Sequence, residues 1–549
     1  MKRSFQYGFL LAFLTMIAGA QQARKPVPVP RFRISGTVVN AIGGQPLSQV
    51  TVFIAVPENP NDTEQVTTGE DGRFSFENVA PGKYAMSAQR RGFTRQSYQQ
   101  HELYSTAVAV GPGKVSEDLV FELSPDASIS GTVTDEENEA VRNGRVILFK
   151  SGLQDGSQSV RFANQVQLDD AGHYRFDHVD PGKYYVAILA RPWFAQYVQR
   201  AGLREQFTNG EVAPAPPPQP LRPDLDVAYP TTFYPQATDP NGATLITVGP
   251  GDRFVADVAL TSVPAIHVRL VNVASIGNVI LFQPTFDGMK MPLFADTDEV
   301  APGTIEINGI APGHYILNLM SRGEEGADRQ DREVDLTGDQ EIDASRRPAS
   351  IVSISGKVHL EGNQNLNTQL ALRFRNVDTG DNFGEPISDK GQFGFQHDLT
   401  KPGTYEIALM NPDGTIAVRS VTATGAKAVG HNITLAAGST VHLDILVSRG
   451  LARVDGTVLR DGKPSSQAMV VLVPQDPANN RVLFRRDQSD SDGTFSLQNV
   501  VPGRYTVIAL QNGWDLEWEN PGVLTPYLKD GQPILVDTPR TYEVKVTAK

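Results

Sequence analysis

At 549 residues the chain is too long for one hydrophobic core and long enough for four or five domains of roughly 100–150 residues. It holds no cysteine, which excludes disulfides, thiol catalysis and thiolate metal sites. A net charge of −13 without a basic stripe argues against nucleic acid, whose affinity comes chiefly from Lys and Arg on phosphates.

Residues 1–20 read as a secretory signal. Lys2 and Arg3 give a positive start, an apolar run covers Gly8 to Ile17, and Ala18-Gly19-Ala20 is a small-residue cleavage site. That run is short of the roughly 20 residues that span a bilayer, and no later segment is apolar enough to cross one. The expectation is export, to the periplasm, the outer surface or beyond, after cleavage near Ala20. Residues 21–33 form a Pro-rich leader.

The rest is a repeat. Ile34-Ser35-Gly36-Thr37-Val38 returns as Ile129-Ser130-Gly131-Thr132-Val133, Ile354-Ser355-Gly356-Lys357-Val358 and Val454-Asp455-Gly456-Thr457-Val458. A degenerate form, Ile266-His267-Val268-Arg269-Leu270, lacks the Gly. Each opening leads to an apolar strand such as Val50 to Val56, then a polar loop, then a second motif. In the first repeat that motif is Gly72-Arg73-Phe74-Ser75-Phe76-Glu77-Asn78-Val79-Ala80-Pro81-Gly82-Lys83-Tyr84, and it recurs from Gly172, Gly303, Gly391 and Gly493. It reads as turn, strand, turn, strand: Asp71-Gly72 supplies a positive φ, and Phe74 and Phe76 share one strand face. A last strand, such as Leu119 to Leu123, closes the repeat. About seven short strands over roughly 95 residues predict an antiparallel β-sandwich. The chain is therefore expected to be all-β, a tandem array of about five Ig-like or prealbumin-like sandwiches. Their expected bounds are 34–126, 127–262, 263–350, 351–449 and 450–549. Tyr84, Tyr184, Tyr315, Tyr405 and Tyr505 should be mostly buried. The second repeat carries an insertion, about 191–230, with a short helix expected over Phe194 to Phe207 and a polyproline-like connector at Ala213 to Pro218.

The opening motif together with Asp71-Gly72-x-Phe74-x-Phe76-x-x-Val79-x-Pro81-Gly82-x-Tyr84 resembles the carboxypeptidase regulatory-like domain. The resemblance implies a transthyretin-like sandwich, often grouped with starch-binding-domain-like folds, that is itself non-catalytic. It also implies the company of peptidases or outer-membrane receptors, so an accessory role in a peptidase system is a minor alternative. No zinc-peptidase segment stands in this chain.

The chemistry-bearing residues form no coherent catalytic or metal pattern in this frame. The nine His are scattered. His173 and His178 fall where sister repeats have Arg73, Thr494, Asn78 and Asn499, so they read as surface positions and not as ligands. The turn Asp487-Gln488-Ser489-Asp490-Ser491-Asp492-Gly493 lacks the terminal Glu of a calcium loop and reads as a hairpin turn whose Asp side chains bond their own backbone. No Gly-x-Ser-x-Gly elbow or phosphate loop occurs. The expectation is no catalytic residue, no metal and no cofactor.

Aromatic rings remain, because sandwich modules hold sugars by stacking them. Phe93, Trp193 and Trp514 each stand nine residues after a motif Tyr, a repeat position suited to half-buried packing. Trp518 has no counterpart, and Tyr197, Tyr229, Phe233 and Tyr234 gather around the insertion. The candidate ligand-binding residues are Trp193, Trp514, Trp518, Tyr197, Phe233 and Tyr234, with a polysaccharide as ligand. The alternative is an envelope scaffold whose partner is a protein.

Overall fold

The computed structural model describes residues 30–549 except 58, 155, 197–206, 209–210, 213–221, 274–275, 294, 324–325, 347–348, 363–365, 367–369, 381, 399–401 and 411–414. The signal, most of the leader, Tyr197 and the polyproline stretch lie outside the described residues.

Each repeat folds as two sheets facing across its own apolar core. In module one, strand Phe32–Asn40 runs between Arg73–Val79, antiparallel, and Leu119–Leu123, parallel. The facing sheet sets Thr51–Val56 between Asn59–Thr67 and Gly82–Arg90. The same pattern repeats. The openers Ala127–Thr134, Ile266–Val271, Ile351–Leu360 and Ala452–Arg460 each take the motif's first strand antiparallel and the closing strand parallel. Parallel pairing of opener and closing strand, split into two short segments in module two, thus interrupts otherwise antiparallel sheets. The two motif strands lie in different sheets, so the Pro-Gly turn carries the chain across the core. Each module has its own core cluster of buried side chains, and two further clusters lie outside these cores, one in module five and one between modules two and three. Rings such as Phe76, Phe176 and Phe374 sit at their centres, each contributing about 1.5–3 kcal/mol by leaving water.

The motif residues have local reasons. Tyr184, Tyr315 and Tyr505 are buried and donate their hydroxyls to the carbonyls of Asp180, Ala311 and Val501, at 2.7, 2.6 and 2.7 Å. Tyr84 makes the same bond to Ala80 at 3.1 Å but is half-buried. The ring thereby clamps the Pro-Gly turn four residues back. Tyr405 is buried as well. Asn78, His178, Gly309 and Asn499 occupy one bulge position and all have positive φ, between 56° and 71°. That region admits Gly, Asn and His more readily than most residues, which explains the residue set at that position.

In module three the register corrects the alignment of the degenerate opening. Val268 pairs with Ile307 as Ile34 pairs with Phe76, and Leu270 pairs with Ile305 as Gly36 pairs with Phe74. Leu270 therefore stands in the glycine's place, two residues beyond the expected match. The insertion also differs from expectation. Phe194 lies in a turn and Phe207–Thr208 is a short strand paired with Glu211–Val212; what lies between falls outside the described residues. The α-helix among the described residues is Pro521–Leu528, in module five, where none was expected.

Candidate functional site

Module five meets three other modules. Its turn at Asp487–Gly493 does bond its own backbone, Asp487 accepting from Ser496 N–H at 2.7 Å and Asp492 from Thr494 N–H at 3.2 Å. It also docks on module one, which its sequence did not reveal. Lys83 Nζ lies 2.5 Å from Asp490 and Lys114 Nζ 2.9 Å from Asp492. Ser491 N–H donates to Ala107 O at 3.0 Å, and Ala107 N–H returns to Asp490 Oδ1 at 2.9 Å. Burial is the largest influence on Asp487 and Asp490 and raises both carboxyls, Asp487 to about 6.

Beside this turn the aromatic candidates are already occupied. Arg486 forks onto Glu102 of module one at 2.5 and 3.1 Å, and its guanidinium lies over Tyr104, Trp518 and Trp514 at 4.8, 5.0 and 5.5 Å. His101 stacks on Trp514, centroids 4.8 Å apart and 7° from parallel. Trp518 is 5% exposed and abuts module two, where a side chain at Gly156 would strike its ring. Next to it, Glu519 pairs with Arg481 at 2.7 Å, bonds Ser157 of module two and lies 3.7 Å from Arg375 of module four. Module four adds a backbone bond from His431 N–H to Asn479 O, 2.8 Å.

Phe233 is fully buried, edge-on to Phe286 of module three at 5.6 Å, and Tyr234 is half-buried against Phe254. Phe233 and Trp518 are thus buried and Trp514 lies against His101 and Arg486, so these three rings pack within the protein, while Tyr234 stays half-buried. Trp193 alone of the described candidates is open, 75% exposed and edge-on to Phe194. Tyr197 lies outside the described residues. Among the described residues no group of three or more His, Asp or Glu is arranged to hold a metal ion. No helix among them is long and apolar enough to cross a membrane.

A second locus lies on the joint between modules one and two, where a cleft of about 630 Å³ opens. The tight turn at Gly92 brings Arg90 opposite Phe93 and leaves Arg91 exposed at the tip, with Arg95 two residues further along the returning strand. The turn is anchored: Asp126 N–H donates to Gly92 O at 3.1 Å, and Thr94 N–H to Ser124 O at 2.9 Å. His178, at the bulge of module two, reaches Asp126 at 2.5 Å. Sequence reading passed over these arginines because no spacing rule joins Arg90 and Arg91 to a His 87 positions later. The only available signal was that sister repeats lack the cluster.

The carboxypeptidase regulatory-like domain family matches residues 33–124. Module one is a carboxypeptidase regulatory-like domain. The openings and motifs of the other modules extend its sandwich along the chain. Among curated proteins, the chain is similar to serine-aspartate repeat-containing protein D of Staphylococcus aureus (strain MSSA476), 27% identical over 177 residues. The match takes in 30% of this chain and spans only 12% of that protein's length. Among solved structures it is similar to the Bacillus anthracis TIE protein, at 12% identity over 78% of this chain and 76% of that one, TM-score 0.17. It is also similar to the minor pilin of Streptococcus agalactiae, at 12% identity over 42% and 96%, TM-score 0.21. Superpositions this loose bear on neither shape nor partners.

Proposed function

We propose that this is a non-catalytic, exported protein of the cell envelope whose modules brace one another into a scaffold that holds or displays a partner. The observation that carries this reading is the use made of its most reactive-looking residues. The acidic turn, both module-five tryptophans and the Glu519–Arg481 pair serve joints between modules and leave no free nucleophile, base or stacking face there. Export rests on the composition of residues 1–20, and the array of one repeated fold supports a structural role. The test is a pull-down from envelope extract with the intact protein as bait, alongside fractionation of cells. A specific envelope partner is expected, with the protein in the exported fractions; recovery of nothing above background, or retention in the cytoplasm, counts against the reading.

One observation favours a second reading. Trp193 offers one open ring at the start of the insertion, edge-on to the half-buried Phe194, suited to the apolar face of a neutral sugar. Affinity electrophoresis on neutral glucans checks it: retardation should disappear in Trp193→Ala, and no retardation of the wild type removes it.

A further inference from the structure

We propose that the cleft on the module one–module two joint binds a carboxylate-bearing polysaccharide through Arg90, Arg91 and Arg95. Several arginines of this acidic chain face carboxylates within 4 Å, among them Arg33, Arg191, Arg373, Arg453 and Arg486. None of the three cleft arginines makes an ion pair within the described structure. Two are held by rings instead: Arg90 over Phe93 at 5.1 Å and Arg95 over Phe53 at 5.5 Å. A ring fixes a guanidinium without neutralising it, so the charge stays available to a ligand.

The one carboxylate lining the cleft, Asp126, makes no ion pair with any of the three. Asp126 accepts from Thr94 Oγ1 at 3.2 Å and pairs with His178 at 2.5 Å. Three like charges left together in a chain of net charge −13 concentrate positive potential in one concavity. The volume lies within the range of about 300–1,000 Å³ typical of ligand clefts.

The chemistry of the lining selects the class of ligand. A guanidinium fork matches a carboxylate in two parallel hydrogen bonds. Gln49, Gln89 and Thr51 line the same cleft and can pair with hydroxyls. A lone half-buried ring, Phe93, offers no series of platforms for successive bases, as a single-strand nucleic-acid groove does. Three arginines along one hairpin fit carboxylates repeated along a chain better than a single acid. Modules two and five do not repeat the arginine pair. At the matching place module two has Arg191, forked onto Asp296, and module five has Gln511-Asn512-Gly513.

The test is affinity electrophoresis of the whole protein in gels carrying polygalacturonate, with dextran and a single-stranded polynucleotide in parallel. The wild type should be retarded by polygalacturonate and pass freely through dextran, and the retardation should shrink as salt rises from about 50 to about 300 mM. The triple variant Arg90→Gln, Arg91→Gln, Arg95→Gln should weaken binding about tenfold or more, with the melting midpoint lowered only slightly by loss of the two ring contacts. The matching triple Arg→Lys variant should keep part of the binding, since charge remains and the fork is lost. Undiminished retardation of the Gln variant, equal retardation in dextran, or stronger retardation by the polynucleotide would overturn the proposal. Loss of polygalacturonate binding with module packing intact leaves the scaffold reading standing, so the two fail separately.

Discussion

A methyl group at Gly36 would sit 2.1 Å from the Leu119 carbonyl oxygen and 2.9 Å from the Phe74 ring. Gly131, Gly356 and Gly456 are squeezed alike, with carbonyl oxygens at 2.3, 2.2 and 2.4 Å. The opener's glycine is thus required by the close approach of the parallel closing strand over an aromatic ring. In module three, Ile305 stands where that ring would be and Leu270 is accepted. Gly36→Ala should cost about 1–3 kcal/mol by overpacking, read as a fall in denaturant midpoint. Gly152→Ala, whose methyl would meet nothing within 4 Å at an ordinary φ, should change stability by less than about 0.5 kcal/mol. Trp518→Ala should cost about 3–5 kcal/mol, because the ring fills the junction with module two. Trp193→Ala should be near neutral in the same assay, its ring being largely in water.

At the scale of elements, the acidic turn of module five predicts a pH response of known sign. Asp487 lies near 6 in the fold against about 3.9 in an unfolded chain. Between those values the folded state keeps a proton that the unfolded state releases, so stability through this group rises as pH falls from 7 toward 4. Asp490, also raised by burial although Lys83 opposes it, acts in the same direction. Asp492, held low by Thr494 and Lys114 against its burial, loses stability only below the usual carboxylate range. Wild type should therefore melt higher at about pH 5 than at about pH 7.5, and Asp487→Asn should shrink that difference. An unchanged or reversed difference would refute the assignment. The strands themselves were readable in the sequence because alternation, Asp-Gly and Pro-Gly are local signals: Phe74, Phe76 and Tyr505 fell where their spacing put them. The destination of each strand was not, since pairing between Phe32–Asn40 and Leu119–Leu123 is set by contacts some 80 residues apart. The same holds for the site. Trp518 has no counterpart in the sister repeats, and it is buried by Phe484, Arg486 and, from module two, Gly156, contacts that lie far from it in sequence.

At the scale of the whole molecule, the last of the five tandem sandwiches returns to the first, the second and the fourth. Each contact is modest alone; exposed ion pairs are worth about 0–1 kcal/mol. Here they act together with backbone hydrogen bonds and stacked rings on one joint. The cleft of Arg90, Arg91 and Arg95 lies on another joint, where Asp126 bonds both Thr94 and His178. Closure of the chain is the claim on which this account depends, and a zero-length carbodiimide cross-link tests it most directly, because that reagent joins an amine to a carboxylate only where they touch. Lys83 should be joined to Asp490 and Lys114 to Asp492 within single, monomeric chains, across 407 and 378 residues. Monomer whose digests lack both products, while pairs local in sequence such as Lys150 with Asp180 do cross-link, would show that modules one and five do not meet.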